Sequence, residues 1–334
     1  MAYQFNWSIF GHKNQLKFLQ NIVNSGNLAN TYLFYGSRGL GKKYTVNYFV
    51  QSIFCQDDKI RPCQKCHHCR LVKKNTFLDL YRLGKQGQSL SADELRYFLH
   101  KLSLSNVSGD RKIAIICGGE NINLFAANAL LKTLEEPPRQ TTIILISDDI
   151  NSLPATVISR CQLIKFKSLN TNDMEKWLKH FDFSEQEKET IINLSFGKPG
   201  RALKLMEDKL EKFKQSCDFI IKLLSGSTFY YMQTIDKWFD VLKKEYPNFK
   251  VYELGDLTKE YLDLFELFLR DLLWIKLDRP ITNVLYVDQL KRIAPQFTKD
   301  DLLNNLLSLN EMRQKLKYNV SPQLLWENLF LNVK

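Results

Sequence analysis

The sequence predicts an α/β fold, a mostly parallel sheet with helices on both faces, followed by a helical carboxyl-terminal half. Three observations carry that expectation. Short apolar runs suited to buried strands alternate with amphipathic helical stretches through the first half of the chain. A glycine-rich loop, Gly36-Ser-Arg-Gly-Leu-Gly-Lys-Lys43, stands between one such run and a helical stretch. From about residue 167 onward, strand-like runs give way to helical periodicity.

Taken in order, Leu16, Leu19, Ile22 and Val23 recur at helical spacing, with Phe18 one turn before Ile22, and Gly26-Asn27 ends that helix. Tyr32-Leu-Phe-Tyr35 reads as the first buried strand, and an amphipathic stretch runs from the glycine-rich loop through Phe54. Residues 78–83 read as a second strand, and Ser91-Ala-Asp-Glu94 is a capping box opening a helix to about Leu104. Lys112-Ile-Ala-Ile-Ile-Cys117 gives a third strand, and residues 124–134 a helix ended by Pro137-Pro138. Residues 142–147 give a fourth strand and 161–166 a fifth. Beyond lie helices over 174–180 and 185–194, a turn at Gly197-Lys-Pro-Gly200, and long helices through Leu224, Lys243, Lys276 and the carboxyl end. Phe219, Phe229, Trp238, Phe265, Phe268 and Trp274 recur along them and predict the core of a helix bundle.

The 334 residues suffice for two or three domains, and 44% hydrophobic with 25% charged residues is ordinary for a globular chain. No apolar run approaches the ~20 residues that cross a bilayer, and residues 1–10 lack the basic-then-apolar pattern of a leader, so the expected location is cytoplasmic. A formal net charge of +11 favours polyanionic partners or acidic protein surfaces, although scattered lysines read equally as a solvated face.

Gly36-x-x-x-x-Gly41-Lys42 fits the Walker A pattern in letters and in context, between strand and helix. Gly36, Gly39 and Gly41 let backbone N–H groups turn toward a phosphate, the helix amino end adds partial positive charge, and Lys42 adds a cation. The hydroxyl that should follow to ligate magnesium is replaced by Lys43, and Thr45 lies two residues too late. The strand of residues 113–116 should end in acidic residues that hold magnesium and orient water; it ends in Cys117-Gly118-Gly119, with Glu120 the nearest carboxylate. Two independent losses argue against hydrolysis. Binding of ATP or ADP without turnover and a loop kept for shape both stay open.

Four of the seven cysteines, Cys55, Cys63, Cys66 and Cys69, fall within fifteen residues. In a reducing compartment that clustering reads as metal binding. Four thiolates match a structural Zn2+ site with no open coordination position. An iron–sulfur cluster is the competing reading, but no x3-Cys-Pro follows Cys69. His67 and His68 are alternative ligands that four cysteines make unnecessary. Cys117, Cys161 and Cys217 read as small buried residues.

Together these features, with Ala126-Ala-Asn-Ala-Leu-Leu-Lys-Thr-Leu-Glu-Glu-Pro-Pro138 and Ser159-Arg160-Cys161, make the chain resemble bacterial clamp-loader ATPases of the AAA+ class, most clearly over about residues 5–205. The resemblance implies an AAA+ P-loop domain at 1–166 with a zinc insertion at about 55–72, a small helical lid at 167–207 and an all-α collar at 208–334. The family's motor subunits, gamma or tau, keep the Walker A threonine and the acidic pair; another kind has lost them, and the losses here resemble that kind. The resemblance further implies partners: gamma/tau and delta subunits, with the sliding clamp and primed DNA met through the complex. It implies that Arg160 acts in trans as an arginine finger on a neighbour's ATP, although the letters alone allow a surface residue between two strands. Arg201 looks like the lid arginine that contacts a subunit's own nucleotide. Two rivals stand beside this expectation: an active gamma/tau-type ATPase, and a zinc-containing nucleic-acid binder using the P-loop fold as scaffold.

Overall fold

The computed structural model describes residues 3–84, 90–103, 111–119, 122, 124–207, 210–226, 228–247, 249, 251–316 and 320–331. The chain divides into two compact units. One comprises residues 1–182 and 195–201, the other residues 183–194 and 202–334, so the division runs through the segment 167–207.

Among the described residues the first unit forms seven strands, β1 (Gln4–Phe5), β2 (Thr31–Tyr35), β3 (Ile60–Arg61), β4 (Leu80–Leu83), β5 (Lys112–Cys117), β6 (Thr141–Ser147) and β7 (Gln162–Lys165). β1 pairs with β3, and the other five make one parallel sheet in the order β4-β5-β6-β2-β7. Alternation along the strands feeds two separate cores. Tyr32, Phe34, Ile113, Ile115, Ile144 and Ile146 pack on one face with Leu19, Val46, Phe49 and Val50 from helices Lys13–Ser25 and Lys42–Phe54. Leu33, Ala114, Ile116, Ile143 and Leu145 pack on the other with Leu95, Phe98, Ala126 and Leu130 from helices Ala92–Ser103 and Leu124–Glu135. This is the three-layer arrangement that parallel sheets require.

Element boundaries follow local hydrogen bonding. Gly26 closes the first helix in the left-handed conformation, its N–H on Ile22 O at 3.0 Å. The Ser91–Glu94 capping box forms, with Glu94 N–H on Ser91 Oγ at 3.2 Å and Ser91 N–H on the Glu94 carboxylate at 3.0 Å. The second sheet strand starts two residues later than the apolar run suggests, because Leu80 N–H turns back to Phe77 O and leaves Leu78 exposed. The fifth starts at Gln162 because Cys161 N–H still closes the short helix Ala155–Ile158 on Ile158 O. Leu104 and Glu120 lie outside the described residues.

The second unit is helical, with Glu211–Ser225, Thr228–Glu245, Val251–Lys276, Val287–Ile293, Lys299–Lys315 and Pro322–Leu331 as its main elements. Phe265 and Phe268 are fully buried, and Phe265 meets Phe330 at 4.9 Å between ring centroids. Trp238 is half-buried and contacts Phe219, Tyr261 and Trp326. Trp274 is not core: it is half-buried under the Arg270 guanidinium, 4.6 Å from the ring centroid. The side chain of Phe229 lies outside the described residues. No described helix is long and apolar enough to cross a membrane.

Candidate functional site: a self-satisfied phosphate loop

The carboxyl ends of β2, β5 and β6 meet where the strand order reverses, the position at which open α/β sheets bind ligands. The loop after β2 turns sharply at Gly36, whose φ is 136° and where a Cβ would stand 2.3 Å from Phe166 O, so no side chain fits. Gly39 and Gly41 also have positive φ, 87° and 85°, and helix Lys42–Phe54 begins directly after. Gly200, at the start of helix Pro199–Glu207, donates its N–H to Gly39 O at 2.8 Å, and a Cβ there would come within 3.1 Å of Gly39. A cleft of about 210 Å³ remains, lined by residues 39–44 with Cys117, Gly118, Ile146, Asp148 and Gly200. Small-molecule sites usually span about 300–1,000 Å³.

Lys42 is buried, only 4% exposed. Its Nζ donates to Gly36 O, to Ser37 O at 2.9 Å and to Asp148 Oδ1 at 2.7 Å. Lys43 is exposed on the cleft wall. Thr45 does not replace the missing hydroxyl, because its buried Oγ1 is turned back onto Gly41 O at 3.0 Å. Across the cleft, β5 ends at Cys117 where an acidic residue would stand, Gly118 leaves the strand with φ 82°, and a Cβ at Gly119 would press to 3.0 Å from Ser147 Cβ. The backbone at both positions is thus fitted to glycine, so the loss concerns local geometry as well as side-chain identity.

Arg160 and Arg201 do not line this cleft. Arg160 follows the short helix Ala155–Ile158, with Nη1 donating to Thr156 O at 2.9 Å and Nη2 paired with the Glu135 carboxylate. Those contacts use two of a guanidinium's five donors and hold the fork at the domain surface. Arg201 lies over the Phe196 ring, 5.3 Å from its centroid.

Sequence reasoning missed Asp148. It follows directly on a fully buried strand, β6, in a Ser147-Asp-Asp149 run at a ligand-binding end of the sheet. The turn to consecutive acids after the apolar run of residues 143–146 was the available signal.

The four sulfurs of Cys55, Cys63, Cys66 and Cys69 lie within 4.8 Å of one another. Cys55 closes helix Lys42–Phe54, while Cys66 caps helix His67–Lys74, which also carries Cys69. Backbone N–H groups of Cys63, Cys66 and Cys69 donate to Cys55, Cys63 and Cys66 Sγ at 3.3, 3.3 and 3.4 Å, a pattern that favours thiolates. Burial alone would raise the Cys66 thiol, but hydrogen bonds from the backbone of Gln56 and Cys69 outweigh it and bring it to about 7. Burial raises Cys55 and Cys69. His68 points its Nδ1 at Phe54 O, 3.1 Å away, and packs on Phe77, whereas His67 is exposed. Four converging thiols with sulfur-directed amides fit a tetrahedral metal, which they would hold without a vacant position.

Fold and loop together define a P-loop α/β protein whose second unit is helical. Residues 11–170 match the family model described as DNA polymerase III, delta subunit. Over 325 residues the chain is 28% identical to DNA polymerase III subunit delta' of Bacillus subtilis, covering 95% of this chain and 94% of that one. It is 25% identical to subunit tau of the same organism over 98% of this chain but 62% of tau, so it spans less than two thirds of that relative. Among solved structures it is similar to a gamma-subunit-related protein of Thermotoga maritima, with 16% identity, TM-score 0.46, and coverage of 96% of this chain and 98% of that one. The chain thus resembles the delta-prime subunit of bacterial DNA polymerase III along nearly its whole length, and shares more of itself with gamma and tau subunits than a P-loop alone.

Proposed function

We propose that the chain is the non-hydrolysing, stator-like subunit of a bacterial DNA polymerase III clamp loader. The observation that carries this is the paired defect at the loop. The magnesium hydroxyl is replaced by exposed Lys43, and the strand that should end in an acidic pair ends in Cys117-Gly118-Gly119. The similarity to delta-prime over both units supports the same reading. In it, residues 1–166 are an AAA+ domain with a structural zinc module at about 55–72, residues 167–207 a lid, and residues 208–334 the collar that joins a ring. Its partners are gamma/tau and delta subunits, and it meets the sliding clamp and primed DNA through them.

The chain's chemical contribution is then Arg160, presented to a neighbour's nucleotide. A guanidinium is suited to the charge that develops on a transferring phosphoryl group. Its present anchors, Glu135 and Thr156 O, keep the fork extended at the surface without burying it. Zinc would give the module its fold and no reaction chemistry.

Steady-state ATP hydrolysis by the purified chain with Mg2+ tests the proposal. The expected result is no turnover above background. Turnover that disappears in Lys42→Ala would instead identify a motor subunit.

A further inference from the structure

We propose that Asp148 is an internal substitute for a nucleotide phosphate, locking the loop against nucleotide. The inference builds on the non-hydrolysing reading above, but concerns binding, which that reading leaves open. An ammonium group has three N–H donors and no acceptor. In this structure all three of Lys42 are spent: on Gly36 O, on Ser37 O and on Asp148 Oδ1. The two carbonyls belong to the loop itself, so the carboxylate occupies the donor that would otherwise be offered outward to a β- or γ-phosphate.

Three further observations point the same way. The Lys42 side chain is 3% exposed and that of Asp148 21%, so the ammonium is shielded from water and loses its anionic partner if Asp148 moves. Asp148 is fixed at the end of β6, whose seven residues are all buried, so its carboxylate is presented intramolecularly and needs no ordering. The Gly200 N–H to Gly39 O bond holds the loop from its other side, beside a cleft of about 210 Å³. A phosphate could enter only by displacing Asp148 and placing its own negative charge beside that carboxylate. Asp148 is therefore a specificity-determining residue: it makes a loop with the letters of a nucleotide site refuse nucleoside di- and triphosphates.

The test is isothermal titration of the full chain with ADP, with and without Mg2+, for wild type, Asp148→Asn, and Asp148→Asn combined with Lys42→Met. Asp148→Asn removes the competing charge and leaves only a neutral amide oxygen as acceptor for Lys42, one that a phosphate can displace. Its ADP affinity is expected to rise on the order of 10- to 100-fold over wild type, the range for a hydrogen bond to a charged group. The added Lys42→Met is expected to abolish the gain. Micromolar ADP binding by wild type, or no tightening in Asp148→Asn, overturns the lock. Should Asp148→Asn not fold, the wild-type Lys42 Nζ resonance decides. It is expected to stay unchanged by ADP up to about 1 mM, the concentration scale of very weak binding; a saturating shift overturns the proposal. ATP turnover by wild type would count against the non-hydrolysing reading, whereas absent binding in Asp148→Asn would count against the lock alone.

Discussion

Arg160→Ala, introduced into this chain within an assembled complex, is expected to slow ATP hydrolysis at the adjoining subunit's site about 10³-fold, the lower end of what an arginine finger contributes. The effect should fall on the chemical step. Single-turnover hydrolysis on primed DNA would show it, while ATP affinity and complex assembly change little. Stability of the isolated chain should change little as well, because the Arg160–Glu135 pair is exposed and such pairs contribute about 0–1 kcal/mol. An unchanged single-turnover rate would remove Arg160 from catalysis and leave it a surface residue beside β7.

Disrupting the proposed zinc module is the second large expected effect. The segment from Cys55 to Cys69 contains a two-residue strand, β3, and leads into an eight-residue helix, neither of which is stable alone. What organises it is the convergence of four thiols, two of them buried. Cys69→Ser, or chelation, is therefore expected to unfold the module and lower stability by on the order of 5 kcal/mol. That is less than the about 10–16 kcal/mol seen for isolated zinc-finger peptides, because here the module also packs on a folded sheet. Elemental analysis should give about one zinc per chain, with affinity falling as pH drops, since binding must displace thiol protons. The pairing of β1 with β3 should be lost in the same transition, visible as faster amide exchange at Gln4 and Phe5. Wild-type stability in Cys69→Ser would show that the cysteines are not a metal site, and iron with visible absorption would favour the cluster.

Much of the fold was legible because its signals are local. The five sheet strands are apolar runs bounded by breakers, and the phosphate loop and the cysteine spacing are written in consecutive letters. The strands β1 and β3 were not legible, because two residues carry no period. The split of residues 167–207 between two compact units, and the Gly200–Gly39 contact, depend on tertiary packing that no local pattern encodes. At the site, the residues conspicuous by letter were Lys42 and Lys43. The residue that completes the electrostatics, Asp148, stands 106 positions away in sequence from its partner and looks like an ordinary turn acid until the sheet order brings β6 beside β2. Likewise Cys117-Gly118-Gly119 reads as a missing acidic motif in the letters, whereas the left-handed Gly118 and the tight Gly119 contact are visible only in the fold.

The most direct measurement is native mass spectrometry of this chain mixed with gamma/tau and delta subunits in the presence of Mg2+ and ADP. The expected species contains one copy of this chain and as many nucleotides as there are gamma/tau subunits, with none on this chain. Failure to join the complex, or one extra nucleotide per complex carried by this chain, would contradict its assignment as a subunit that assembles with the ATPases while its own loop stays without nucleotide.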